Sequence, residues 1–149
     1  MHFKTLLRTF PILFLLALTA QTVELTQKPN ILFIMVDDLG YQDLSIYGSK
    51  DISTPRIDNL MEAGVRFTDF TANSCVCSPS RAAFLTGRYQ DLVGVPGVVR
   101  THDHNSWGFL GPDVKTIGGI FSAAGYRTSL IGKWHLGLQS TNLPKQRGF

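Results

Sequence analysis

An α/β fold, a mostly parallel sheet sandwiched by helices, is predicted by three features of the sequence. Asn30 to Val36 is a continuous apolar run rich in branched side chains, the pattern of a strand covered on both faces, as strands of parallel sheets are. Val65–Ala72 and Arg127–Lys133 read as further strands. Between and after these runs lie amphipathic stretches of helical period, each bounded by proline or glycine, which supply faces to pack on such a sheet.

At the N-terminus, His2, Lys4 and Arg8 make a basic start and Phe10 to Ala20 an almost wholly apolar run, with small residues Ala17, Thr19 and Ala20 placing a cleavage site near Ala20 or Gln21. This is the form of a secretory signal, too short to span a membrane. A buried strand or core helix is the alternative reading of the same run. Residues 1–20 are therefore expected to be a signal peptide and residues 21–29 a short leader or linker. The mature chain is expected to be secreted or periplasmic, or lysosomal in a eukaryote, with no stable membrane anchor. Cleavage removes Lys4 and Arg8, lowering the formal net charge of +3 to +1, which leaves no polybasic surface for nucleic acid or anionic lipid. The roughly 129 residues that remain are one domain's worth.

The apolar run 30–36 ends in Asp37-Asp38-Leu39-Gly40. Ligands of open α/β sheets gather beyond the carboxyl ends of strands, and paired carboxylates suit a hard divalent cation such as Ca²⁺ or Mg²⁺. Both can serve one ion only if the chain turns there, which Gly40 permits. The same pair reads as a solvated strand end. Ser53–Gly64 has a cap residue in Thr54, Pro55 at the first position, apolar Ile57, Leu60 and Met61, and a terminating glycine, so a helix with those three residues in the core is expected. Val65 to Ala72 alternates Val, Phe and Phe with Arg, Thr and Asp, as a half-buried strand does.

That strand delivers the chain to Cys77-Ser78-Pro79-Ser80-Arg81-Ala82-Ala83-Phe84-Leu85-Thr86-Gly87-Arg88. Pro79 suits a first helical turn and Gly87 a left-handed stop, which predicts a short helix with Cys77 at its threshold. Unpartnered N–H groups there favour an anion, and Arg81 adds a permanent cation one turn on. Arg88 to Asp113 holds Gly94, Pro96, Gly97, Gly108, Gly111 and Pro112 without a sustained period, and is expected to be a long loop that is functional or mobile. His102, Asp103, His104, Asn105 and Trp107 lie in it and read either as pocket residues or as solvated loop residues. Val114–Ala124, with Gly125 as its stop, reads as a second packing helix. In the last strand and beyond, Lys133 and His135 stand two apart, on one side of an extended chain; alone they make an unremarkable exposed pair.

The stretch Cys77 to Arg88 resembles the signature of the type I sulfatases, Cys-x-Pro-Ser-Arg followed by Leu-Thr-Gly-Arg, without a departure. Such a set of fixed residues at fixed spacing recurs by chance on the order of once in 10¹⁰ windows. Gly132-Lys133-Trp134-His135-Leu136-Gly137 matches a second sulfatase motif, and the resemblance runs from about Lys28 to Phe149. It implies the α/β fold of the alkaline phosphatase superfamily and hydrolysis of sulfate esters, on a sulfated small molecule or glycan. It also implies that a formylglycine-generating enzyme oxidises Cys77 to formylglycine. One hydroxyl of the hydrated aldehyde would attack sulfur, and deprotonation of the other would expel sulfate and restore the aldehyde. Asp37 and Asp38, with residue 77, fall where the family binds Ca²⁺ or Mg²⁺. Arg81 and Lys133 would stabilise charge on the hydrate and the sulfuryl oxygens, and His135 would hydrogen-bond the hydrate and help to remove its proton.

The family's remaining metal ligands and acid residues come later than residue 149. Residues 30–149, ending after a loop at Arg147-Gly148-Phe149, are thus expected to be the N-terminal part of a catalytic domain. Other readings of the two cysteines are a strained disulfide between Cys75 and Cys77, a zinc site with His102 and His104, and plain buried thiols, the last being the reading for Cys75. For the whole chain the alternatives are a phosphatase or phosphodiesterase of the same superfamily, and a non-catalytic fragment.

Overall fold

The computed structural model describes residues 28–149. The expected signal peptide and most of the leader lie outside the described residues. The chain divides into two compact units, Met1–Val36 and Asp37–Phe149.

In the first unit the described residues reach Val36 without regular structure, and Ile31 to Val36 expose their apolar side chains. The strand expected there is not formed. Nor are those expected at 65–72 and 127–133: among the described residues there is no strand. The physical reason is that a strand is defined by hydrogen bonds to a neighbour. Composition makes a segment fit for a ladder and cannot supply the adjacent rung.

The second unit is built on short helices. Helix α1, Pro55–Ala63, starts with proline at its first position as expected. Its apolar side fails to find a core, for Ile57 and Leu60 are exposed. Thr54 does not cap the helix; its hydroxyl turns instead to Asp58 Oδ1 at 2.8 Å and to the backbone N–H of Ser45 at 3.0 Å. Asp58 also accepts from the Ser45 hydroxyl at 2.5 Å, so α1 is pinned to a 3₁₀ turn at Ser45–Tyr47 by polar contacts.

Helix α2, Cys77–Thr86, occupies the span its punctuation predicts. Gly87 ends it in the left-handed conformation at φ 64°, its N–H bonded to the carbonyl of Ala83, a geometry that glycine adopts without cost. Ser78, Pro79, Arg81, Ala82, Ala83 and Leu85 are all buried, so α2 is enclosed on several sides. The small alanines let neighbouring backbone approach.

What encloses it is the stretch expected to be a long loop. Val93, Val95, Val99 and Leu110 join Ala82, Leu85 and Leu136 in the one buried apolar cluster found among the described residues. Backbone bonds fold the segment back on itself, Trp107 N–H to Val98 O and Gly111 N–H to Val93 O, both at 3.0 Å. The segment is irregular as expected, and it also contributes Val93, Val95, Val99 and Leu110 to the core. Glycines and prolines hid the burial because a compact irregular segment has no period to read. Helix α3, Ile117–Ala123, is capped by Thr116, whose side chain accepts from the Gly119 N–H. Its Gly118 lies under the Phe149 ring, where a Cβ would come within 2.5 Å of a ring carbon. The buried Arg147 guanidinium donates to the carbonyls of Gly111, Pro112 and Val114, which ties the chain's last residues to the segment before α3.

Candidate active site

Cys77 is the first residue of α2, after an extended Val76 at φ −128°, ψ 156°. It is half-buried and unpaired. Its Sγ lies 3.3 Å from His135 Nδ1, and the other ring nitrogen, Nε2, lies 2.8 Å from the carbonyl oxygen of Val99. A carbonyl can only accept, so in neutral His135 the proton sits on Nε2 and the Nδ1 lone pair faces residue 77. The imidazole is thereby set as a proton acceptor towards that side chain.

His135 holds this position at φ 62°, and Asp38 stands at φ 57°; among the described residues these are the two non-glycine residues with positive φ. That region costs a non-glycine residue of order 1–3 kcal/mol and persists where surrounding contacts impose it. For His135 the contacts are visible. Leu136 is wholly buried, and Trp134 donates its indole N–H to the Asn142 carbonyl at 2.7 Å, so both neighbours are anchored and the histidine must bend between them. Lys133 and His135 consequently do not run along one side of an extended chain. At the aspartate pair the turn falls on Asp38 itself, two residues earlier than Gly40.

Arg81, one turn into α2 and buried, donates Nη1 to the Lys133 carbonyl at 2.7 Å and Nη2 to Asp37 Oδ1 at 3.2 Å. Lys133 Nζ donates to Asp37 Oδ2 at 2.5 Å. Both oxygens of Asp37 therefore meet a cation. Hydrogen bonds from Lys133 and then Arg81 hold the Asp37 carboxyl below the usual carboxylate range. The same bond raises Lys133 above its ordinary value, with a smaller contribution from Cys77, so both ions stay charged through neutral pH. Cys77, Arg81, Asp37, Lys133 and His135 thus form one connected group.

Two carboxylates fit a hard divalent cation in kind, and in number they account for part of its shell of six to eight oxygens. Among the described residues no three His, Cys, Asp or Glu side chains gather as a metal cage. His102 and His104 stack on each other at 5.6 Å, exposed, and Cys75 is an exposed free thiol where a buried one was expected. Neither the disulfide nor the zinc reading of these residues has formed. Sequence reasoning missed Ser78 and the Val99 carbonyl. A backbone acceptor leaves no trace in residue identity, while Ser78 carried one available signal, its place beside Cys77.

Beside Lys133 and His135 opens a cavity of about 680 Å³, walled by Trp134, Leu138, Leu143 and Pro144 and edged by Arg100 and Asn105. Its lining holds cations and no carboxylate, which suits an anion carried on an apolar or ring-shaped body.

The family profile described as Sulfatase matches residues 29–149. The chain belongs to the sulfatase family. This sulfatase chain is 44% identical over 138 residues to human arylsulfatase A, covering 91% of itself and 26% of that protein. To human steryl-sulfatase it is 44% identical over 131 residues, covering 86% and 22%. Among solved structures, one described as Ps i-CgsB in complex with k-i-k-neocarrahexaose aligns with a TM-score of 0.76 and 41% identity, over 83% of the sulfatase chain and 27% of the other. The chain thus spans about a quarter of the length of the relatives it matches. Family membership carries the α/β fold of the alkaline phosphatase superfamily, of which the described residues hold helices. No helix of the described residues is long and apolar enough to cross a membrane.

Proposed function

We propose that this sequence is the N-terminal part of a secreted sulfatase that hydrolyses sulfate esters at residue 77. The observation that carries the reading is the contact of Cys77 Sγ with His135 Nδ1, at the start of a helix whose Arg81 meets Lys133 and Asp37. When present, formylglycine made from Cys77 would supply a hydrated aldehyde as nucleophile, and a divalent Ca²⁺ or Mg²⁺ held in part by Asp37 and Asp38 would supply positive charge opposite the sulfate.

The chain's own residues then have defined tasks. The His135 Nδ1 lone pair accepts a proton from the side chain at 77, as its hydrogen-bonded tautomer directs. Lys133 and Arg81, fixed against Asp37, hold positive charge beside the reacting position without having to reorganise, which is how such charges lower a barrier most. Asp37 keeps the two cations in place. The cavity beside Lys133 and His135 receives the alcohol half of the ester, and its apolar wall with Arg100 at the edge favours a sulfated ring compound, aryl or glycan. The partners of this reading are a formylglycine-generating enzyme and a sulfated small molecule or glycan.

The test is parallel assay on an aryl sulfate and an aryl phosphate of the longer protein that contains this chain, coexpressed with a formylglycine-generating enzyme, beside its Cys77→Ala variant. Turnover of the sulfate that Cys77→Ala abolishes, together with a mass lower by about 18 Da at residue 77, is the expected result. Near-parental turnover by Cys77→Ala, or preference for the phosphate, would overturn the assignment.

A further inference from the structure

Four residues form a closed circuit around the reacting position, and one of them has no assigned task. Ser78 follows Cys77 directly and is wholly buried. Its Oγ accepts the backbone N–H of Val99 at 3.1 Å. The carbonyl of the same residue accepts from His135 Nε2 at 2.8 Å, and His135 Nδ1 returns to Cys77 Sγ at 3.3 Å. Val99 is itself 6% exposed, and the bond from its N–H to Ser78 is buried.

We infer that Ser78 is a positioning residue: it fixes the Val99 backbone, which fixes the tautomer and aim of His135 towards residue 77. The inference rests on the reading of residue 77 as the reacting position. Its physical basis is that a buried N–H without an acceptor drives its segment to move until one is found. Val99 sits in an irregular segment with no ladder to restrain it, and among the described residues the acceptor given to its N–H is the Ser78 hydroxyl. Any shift of Val99 carries its carbonyl with it, and that carbonyl, which can only accept, is what calls for the His135 proton on Nε2. An imidazole without that bond can carry its proton on Nδ1, where it would present a donor to residue 77 and could not accept a proton there. Ser78 thus couples the helix that bears the nucleophile to the base that serves it, through one residue of a different segment.

The experiment compares the longer protein that contains this chain with its Ser78→Ala and Ser78→Thr variants, by ¹⁵N NMR of the histidine rings and by aryl sulfate kinetics. The ring nitrogens report the tautomer directly, which general loss of stability in a folded protein would not alter. The parent is expected to show His135 fixed with its proton on Nε2. Ser78→Ala should lose that signature to averaging of the two nitrogens, with kcat lower by about tenfold or more and KM changed little; Ser78→Thr, which keeps a hydroxyl, should retain it. A Ser78→Ala protein with the parental signature overturns the inference. If Ser78→Ala does not fold, Ser78→Thr decides, since a folded Ser78→Thr with averaged nitrogens overturns it equally. A longer parent protein, converted at residue 77, that shows the Nε2 tautomer and turns over no sulfate ester would instead count against the sulfatase reading, so the two failures are told apart.

Discussion

His135 combines two demands that its neighbours impose from both sides. Trp134 and Leu136 are anchored, and the ring must reach Cys77 and the Val99 carbonyl together, which places its backbone at φ 62°. Asparagine tolerates this region better than most residues, whereas a β-branched side chain is a true outlier there. Urea denaturation should therefore find His135→Asn close to the parent in stability and His135→Val lower by about 1–2 kcal/mol more. Equal stability of the two variants would show that the positive φ is not imposed. The cluster's residue types were legible beforehand, since Cys77, Arg81, Lys133 and His135 stand in two motifs. The bonds among them were not, because Arg81 reaches Lys133 through a backbone carbonyl and His135 is aimed by another.

Among the elements, α1 shows how little an amphipathic pattern determines by itself. The helix forms where proline and threonine announce it, yet its apolar residues stay exposed, and what holds it to the Ser45–Tyr47 turn is the Asp58 carboxylate. The Ser45 hydroxyl, more than any other group, holds the Asp58 carboxyl below the usual carboxylate range, with Thr54 and the Ile46 N–H adding to it. A depressed folded-state value means that the contact stabilises fully above the unfolded value and is lost as pH falls through the folded one. Amide shifts of Ser45 and Ile46 should hold constant from neutral pH down to about pH 4 and move below it. In Asp58→Asn that step should vanish, and its persistence would mean that another group is being titrated. Helix α2 illustrates the opposite case, in which Pro79 and Gly87 define both ends locally and the packing follows.

Across the molecule, the segments with the composition of strands are the ones left bare. Ile31 to Val36 in the first unit, and Val65, Phe67, Phe70 and Ile131 in the second, are all exposed. Apolar surface of this extent binds hydrophobic dyes and promotes association. The 149-residue chain should accordingly enhance ANS fluorescence strongly and elute in size-exclusion chromatography above its monomer mass. A monomer that leaves the dye dark would mean that these segments are covered after all. Strand-like runs were legible as apolar periodicity, and their lack of a ladder was not, since pairing joins segments far apart in sequence.

Sequence alone determined the family, the ends of α2 and the chemical inventory of the site, because each depends on residue identity at short spacing: a proline, a glycine, a cysteine and the charges one turn away. Only the tertiary structure decided that Val93, Val95, Val99 and Leu110 of an irregular segment are core, that Asp37 is shared by two cations, and that a valine's peptide group meets the histidine. Those outcomes depend on backbone atoms and on distances between segments tens of residues apart, and backbone atoms are the same in every residue.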